Sequence, residues 1–222
     1  MGSSTSPLAM VALLAAMALL PFLLIMVTSF VKVAVVLSIL RTAIGAQQVP
    51  PNQIITGLAI VLSVYIMAPV GQDMYTELDP YLQQYDAGEL TLNWSSLEEI
   101  GTVVAAPLKG FLLKHASETD RLFLFELALE MRTEEQRAGL TSEDFLILIP
   151  AFVVTELKAA FTIGFILFVP FIIVDLVIAN ILLSLGMHML SPTTISLPFK
   201  LLLFVLVDGW YLVVKGLILG YI

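Results

Sequence analysis

The chain has 222 residues, 59% of them apolar and 13% charged, with a formal charge of −8 and no cysteine. A soluble domain averages about 45–50% apolar and about 25% charged residues, so composition points away from a water-soluble module and toward a protein whose solvent is the bilayer. The negative charge argues against a nucleic-acid partner, and the absence of cysteine removes disulfides and thiolate metal sites.

The charge is unevenly spread: +2 over residues 1–72, −10 over 73–144 and zero over 145–222. The chain therefore reads as three parts: an N-terminal hydrophobic hairpin (1–71), an acidic polar insertion (72–144) and a C-terminal hydrophobic hairpin (145–222). Met1–Ser6 is small and polar, without the basic stretch of a signal peptide. Leu8–Ile44 exceeds the roughly 20 apolar residues that a span needs, so it is expected as a retained membrane helix, broken or kinked at Pro21 or Thr28–Ser29. Gly45 is placed to stop it, and Pro50–Pro51 to start the next element. Ile54–Val70 is expected to span and to end at Pro69 and Gly71.

Within the insertion, Tyr75–Trp94 is expected to be irregular. Leu97–Leu113 is amphipathic but interrupted by Pro107, and Glu118–Arg137 is expected as one helix capped by Ser117 or Thr119. In that helix Leu122, Phe125, Leu129 and Met131 would share a side while Asp120, Glu130, Arg132, Glu134 and Glu135 face water. Phe145–Leu190 is long enough for a double-length helix or a hairpin, Ser191–Pro198 is expected as a turn, and Phe199–Ile222 is the last apolar segment. A long apolar run, a proline-bounded turn and a shorter apolar run occur twice, suggesting two related hairpins. The basic residues Lys32 and Arg41 assign the first turn to the cytoplasm, which puts the insertion in the periplasm.

No catalytic constellation stands out. His115 and His188 lie in no H-E-x-x-H pattern, and no nucleotide loop or nucleophile elbow is present; catalytic, cofactor-binding and metal-binding residues are none. The charged residues inside apolar segments are Glu156, Lys158, Asp175, Lys200 and Asp208. Each costs roughly 2.5–3.5 kcal/mol to insert alone, so such groups pair or face water. Glu156 and Lys158 stand two apart, on different faces of a helix, and should take different partners. These five could form buried polar pairs between helices or subunits, a proton pathway, or a pore lining. Gly186–Leu190 (GMHML) is either apolar filler at a helix end or a deformable constriction, because methionine re-packs cheaply around changing neighbours.

Residues 28–70 (TSFVKVAVVLSILRTAIG…QQVPPNQIITGLAIVLSVYIMAPV), 148–192 (LIPAFVVTELKAAF…PFIIVDLVIANILLSLGMHMLSP) and 195–213 (ISLPFKLLLFVLVDGWYLV) resemble the FliP/SctR family. These are the R-type export-gate proteins of type III secretion. The missing signal peptide and the QQVPPN turn resemble the virulence (injectisome) branch more than the flagellar one. The resemblance implies an all-α, membrane-type fold of long kinked helical hairpins, assembling into a helical ring or cone in the bacterial inner membrane. The ring is pentameric on the family expectation and projects into the periplasm. Its implied partners are the Q-type (FliQ/SctS) and R/T-type (FliR/SctT) proteins, further export apparatus and needle or rod components, and unfolded secreted proteins in transit. It also implies that Met187, His188 and Met189 face the lumen as a gate. The flagellar pattern has three methionines here, so His188 is a departure, and it would make the closed gate pH-sensitive because histidine titrates near neutrality. Glu156, Lys158, Asp175, Lys200 and Asp208 are then expected as intersubunit polar contacts. The competing reading is a secondary transporter or ion channel that uses Asp175 and Asp208.

Overall fold

A chain this apolar must satisfy its backbone internally, and α-helices do so within each segment. The computed structural model describes residues 7–45, 50–88 and 93–222; Met1–Ser6 and Gln47–Val49 of the QQVPPN turn lie outside them. The described residues form α1 (Pro7–Met26), α2 (Phe30–Ile44), α3 (Asn52–Asp86), α4 (Trp94–His115), α5 (Glu118–Glu130), α6 (Glu134–Arg137), α7 (Phe145–Ser184), α8 (Pro192–Leu206) and α9 (Gly209–Leu219), with no strand among them. The fold is all-α and of membrane type.

α1 and α2 are bent by 69° at Val27–Ser29. Polar side chains absorb the break. The Thr28 hydroxyl donates to Ile25 O at 3.2 Å, and Ser29, fully buried, donates across to the Ser63 hydroxyl of α3 at 3.1 Å. Gly45 ends α2 in the left-handed conformation, φ +77°, as expected for a glycine stop.

α2 and α7 form the central pair, with α3 and α8 against them. One apolar core joins Val33, Val36, Leu37 and Leu40 of α2 to Ala59 of α3, Ala160 and Phe171 of α7 and Leu217 of α9. At Gly164 of α7 a Cβ would fall 2.4 Å from Ile39 Cδ1, so the glycine permits this close approach. A second core joins Leu112 and Phe111 of α4 to Leu148, Ala151 and Phe152 of α7 and to Tyr221.

Several expected boundaries move. α3 does not end at Pro69 and Gly71 but runs 35 residues to Asp86, through Pro69 and Pro80. A proline removes one i→i−4 bond, and the flanking turns retain theirs. Residues 71 and 72 therefore lie inside one helix, and the irregular segment expected from Tyr75 is helical to Asp86. The helix expected over Glu118–Arg137 breaks after Glu130. Ser117 is the N-cap of α5, although its side chain makes no capping bond. Its buried side carries Asp120 and Ala128, whereas Leu122 and Met131 are exposed. Ser191–Pro198 is not a turn. Pro192 opens α8, where its missing N–H costs nothing, and the helix continues through Pro198. α7 is a single 40-residue helix, about 60 Å long, twice the hydrocarbon thickness of about 30 Å.

Among the described residues two helices, α3 and α7, are long and apolar enough to cross a membrane; the total is up to four if each bent pair, α1–α2 and α8–α9, is one span. The surface is 14805 Å² for 24.2 kDa, against about 10,000 Å² for a compact soluble monomer of that mass. Much of the excess is apolar, from Phe22 of α1, Val61 of α3, Phe165 of α7 and Val205 of α8.

Candidate functional site

α7 carries charges at three levels, and each meets a different element. Glu156, 2% exposed, accepts from Lys32 Nζ of α2 at 3.1 Å and from the Tyr221 hydroxyl. Lys32 Nζ also lies 3.7 Å above the Tyr221 ring. Lys158, on another face because it is two residues on, pairs with Asp120 of α5. The Thr155 hydroxyl donates to the same carboxylate at 2.9 Å and accepts from Ser117 N at 3.0 Å. The hydrogen bond from Lys158 holds the Asp120 carboxyl below the usual carboxylate range against the opposing effect of burial, with Thr155 adding to it.

The third level is Asp175. It accepts from Lys200 Nζ of α8 at 2.6 Å and from the Ser196 hydroxyl. Lys200 Nζ also reaches Ala43 O, at the end of α2, at 3.4 Å, where a cation complements the helix dipole. This group ties α7, α8 and α2 at the base of the α7–α8 hairpin.

The hairpin tip is built by a helix stop. Gly186 is left-handed at φ +71°. Met187 N–H donates to Leu182 O at 2.9 Å and Gly186 N–H to Leu183 O at 3.1 Å, the paired bonds of a Schellman end. Leu190 N–H then reaches Met187 O at 3.4 Å before Ser191 and Pro192 start α8. Met187, His188 and Met189 all stand exposed on this tip, Met189 at 99%.

Of the five residues expected to make intersubunit contacts, Glu156, Lys158, Asp175 and Lys200 are paired within this chain. Asp208 is exposed at the 60° bend between α8 and α9, in left-handed backbone at φ +51°, the one non-glycine residue so placed among those described. No hydrogen bond or ion pair among the described residues joins it to Asp175.

Sequence reasoning missed Asp120, Ser196 and Tyr221 as partners. A lone tyrosine in an apolar tail does carry a signal, since a buried phenol needs an acceptor. His115, dismissed as a catalyst, packs its ring 4.7 Å from Phe111 and 5.0 Å from Tyr221. Burial, then the nearby Lys32 and Lys114 charges, push its pKa down to about 4. No cluster of three or more metal-ligating side chains occurs among the described residues.

These features define a helical membrane protein: the charges of α7 neutralised internally, large apolar faces uncovered and a methionine-bearing loop displayed at a hairpin tip. Comparison with known proteins narrows the class. The profile described as the FliP family matches residues 13–217. The chain is 47% identical over 213 residues to the Yop proteins translocation protein R of Yersinia pestis, covering 96% of this chain and 95% of that protein. It is 42% identical over 218 residues to the flagellar biosynthetic protein FliP of Bacillus subtilis (98% and 93%) and 40% identical over 206 residues to the hypersensitivity response secretion protein HrcR of Ralstonia nicotianae (93% of each). The chain belongs to the FliP family, a family of secretion-apparatus membrane proteins and not of enzymes.

Proposed function

We propose that this chain is a pore-forming subunit of a type III secretion export gate in the inner membrane, in the virulence branch, and that it conducts unfolded proteins. The role in protein export rests on family membership and on the secretion and flagellar names of its relatives. The finer reading rests on one observation: Met187, His188 and Met189 stand out together on a hairpin tip whose base is clamped by Asp175, Lys200 and Ser196. Copies arranged around an axis bring these tips together as a collar. Thioether side chains change rotamer cheaply and leave no polar group unsatisfied when the collar opens. The uncovered apolar faces of α1, α3, α7 and α8 are buried against neighbouring copies and against Q-type and R/T-type partners. The three-part division at 71/72 and 144/145 is kept as a functional one, with the acidic insertion on the periplasmic side.

The test is ion leak and secretion in cells carrying Met187→Ala with Met189→Ala. Leak through the resting gate rises while secretion persists. Unchanged leak would make the chain a scaffold without a seal. Asp175 and Asp208 do not support the transporter reading, because Asp175 is already occupied by Lys200 and Ser196.

A further inference from the structure

The apolar helices α2, α7, α8 and α9 carry four lysines: Lys32, Lys158, Lys200 and Lys215. The first three each meet a carboxylate of this chain. Lys215 meets none among the described residues. Along the chain the nearest side-chain carboxylate is Asp208, seven residues away, about 10 Å along the helix. Lys215 is exposed, and its Nζ lies 5.4 Å from the centroid of the Tyr211 ring.

The surroundings of Lys215 are specific. Trp210, Val214 and Ile218 follow one another at i, i+4 and i+8 on α9, and Tyr211, Lys215 and Leu219 do the same beside them. The two ridges frame a groove of about 460 Å³ that runs along the helix and is walled almost wholly by carbon. Trp210, at one end of the groove, makes an edge-to-face contact with Phe204 at 5.4 Å. Exposed tryptophan and tyrosine prefer the headgroup level of a bilayer. Lys215 stands one helical turn after Tyr211, and its side chain leans back toward that ring, so its ammonium can reach that level while its stem stays in hydrocarbon.

We propose that this face of α9 binds an anionic phospholipid, the Lys215 ammonium meeting the phosphate and an acyl chain lying between the two ridges. The unmatched cation sets the sign of the headgroup. The axial, carbon-walled groove fits an alkyl chain. The site needs the apolar character of α9 and not the gate loop, so it stands or falls separately from the collar.

The experiment is native mass spectrometry of the full-length protein, purified in nonionic detergent and given equal amounts of dioleoylphosphatidylglycerol and dioleoylphosphatidylcholine. Wild type retains the anionic lipid in roughly fivefold excess, the attraction of one basic side chain for an anionic lipid surface. Lys215→Gln brings the ratio to parity, and Lys215→Arg, which keeps the charge, preserves the excess. Ile218→Trp fills the groove and lowers retention of both lipids. Circular dichroism confirms that each variant keeps its helices. An equal ratio in wild type, or an unchanged excess in Lys215→Gln, overturns the proposal. So does carbodiimide cross-linking of Lys215 to a carboxylate of another protein chain in intact membranes, which would assign the face to a protein partner.

Discussion

Replacing Lys32 by Met tests the buried group at the centre of the molecule most directly. Glu156 is 2% exposed and has two partners, Lys32 Nζ at 3.1 Å and the Tyr221 hydroxyl. Lys32→Met leaves a buried carboxylate with the phenol alone, and breaking such a pair from one side costs about 3–5 kcal/mol. The remaining Tyr221 bond places the expected loss at the lower end. Lys32→Met with Glu156→Met removes both charges and recovers most of the loss, because a buried pair balances its attraction against desolvation. That double variant orphans the Tyr221 hydroxyl, which costs about 1–3 kcal/mol. Adding Tyr221→Phe removes the orphan and brings the triple variant close to wild type. The assay is unfolding in detergent, followed by tryptophan fluorescence against denaturant, with circular dichroism as a second probe. A single variant that loses under 1 kcal/mol, or a triple variant less stable than the single, would refute the account of a closed polar cluster.

Three further outcomes are expected. Gly164→Val overpacks the α2–α7 contact, where a Cβ meets Ile39 Cδ1 at 2.4 Å and Ile39 Cβ at 3.2 Å; it costs about 1–3 kcal/mol, and Ile39→Ala in the same chain restores thermal stability if that contact is the cause. The His115 pKa is depressed in the fold from 6.5 to about 4, so between those values the unfolded chain binds more protons and stability falls as pH drops from 6.5 toward 4; His115→Phe flattens that slope in melts at pH 7, 5.5 and 4.5, and an unaltered slope would show that the imidazole stays solvated. For the proposed gate, His188→Met abolishes any difference in ion leak between pH 6 and pH 8, and identical leak in wild type at the two pH values would remove the pH-sensing reading.

Much of the local architecture was legible in the residues. Gly45 follows the last turn of α2 with positive φ, as expected of a glycine stop, whereas Gly186 does the same after α7 although the turn was expected only from Ser191. The break at Val27–Ser29 was one of two sites marked for it. The spacing of Glu156 and Lys158 on one helix dictated separate partners, and they have them. The FliP family was recognisable from long stretches on both sides of the insertion, as was the all-α class. Proline was read too strongly: Pro69, Pro80 and Pro198 all lie within helices, since the loss of one hydrogen bond does not stop the turns on either side.

Chemistry along the chain alone determined which segments avoid water, where helices can stop and which charges require neutralising. Only the tertiary structure decided who neutralises them. Asp120 pairs with a lysine 38 residues away and Glu156 with one 124 residues away, while Asp120 sits on a helix whose periodicity had assigned it to water. A helical period describes one cylinder by itself. Which side of that cylinder is buried depends on the neighbour it meets, and a short contact between distant residues exists only once the helices have packed.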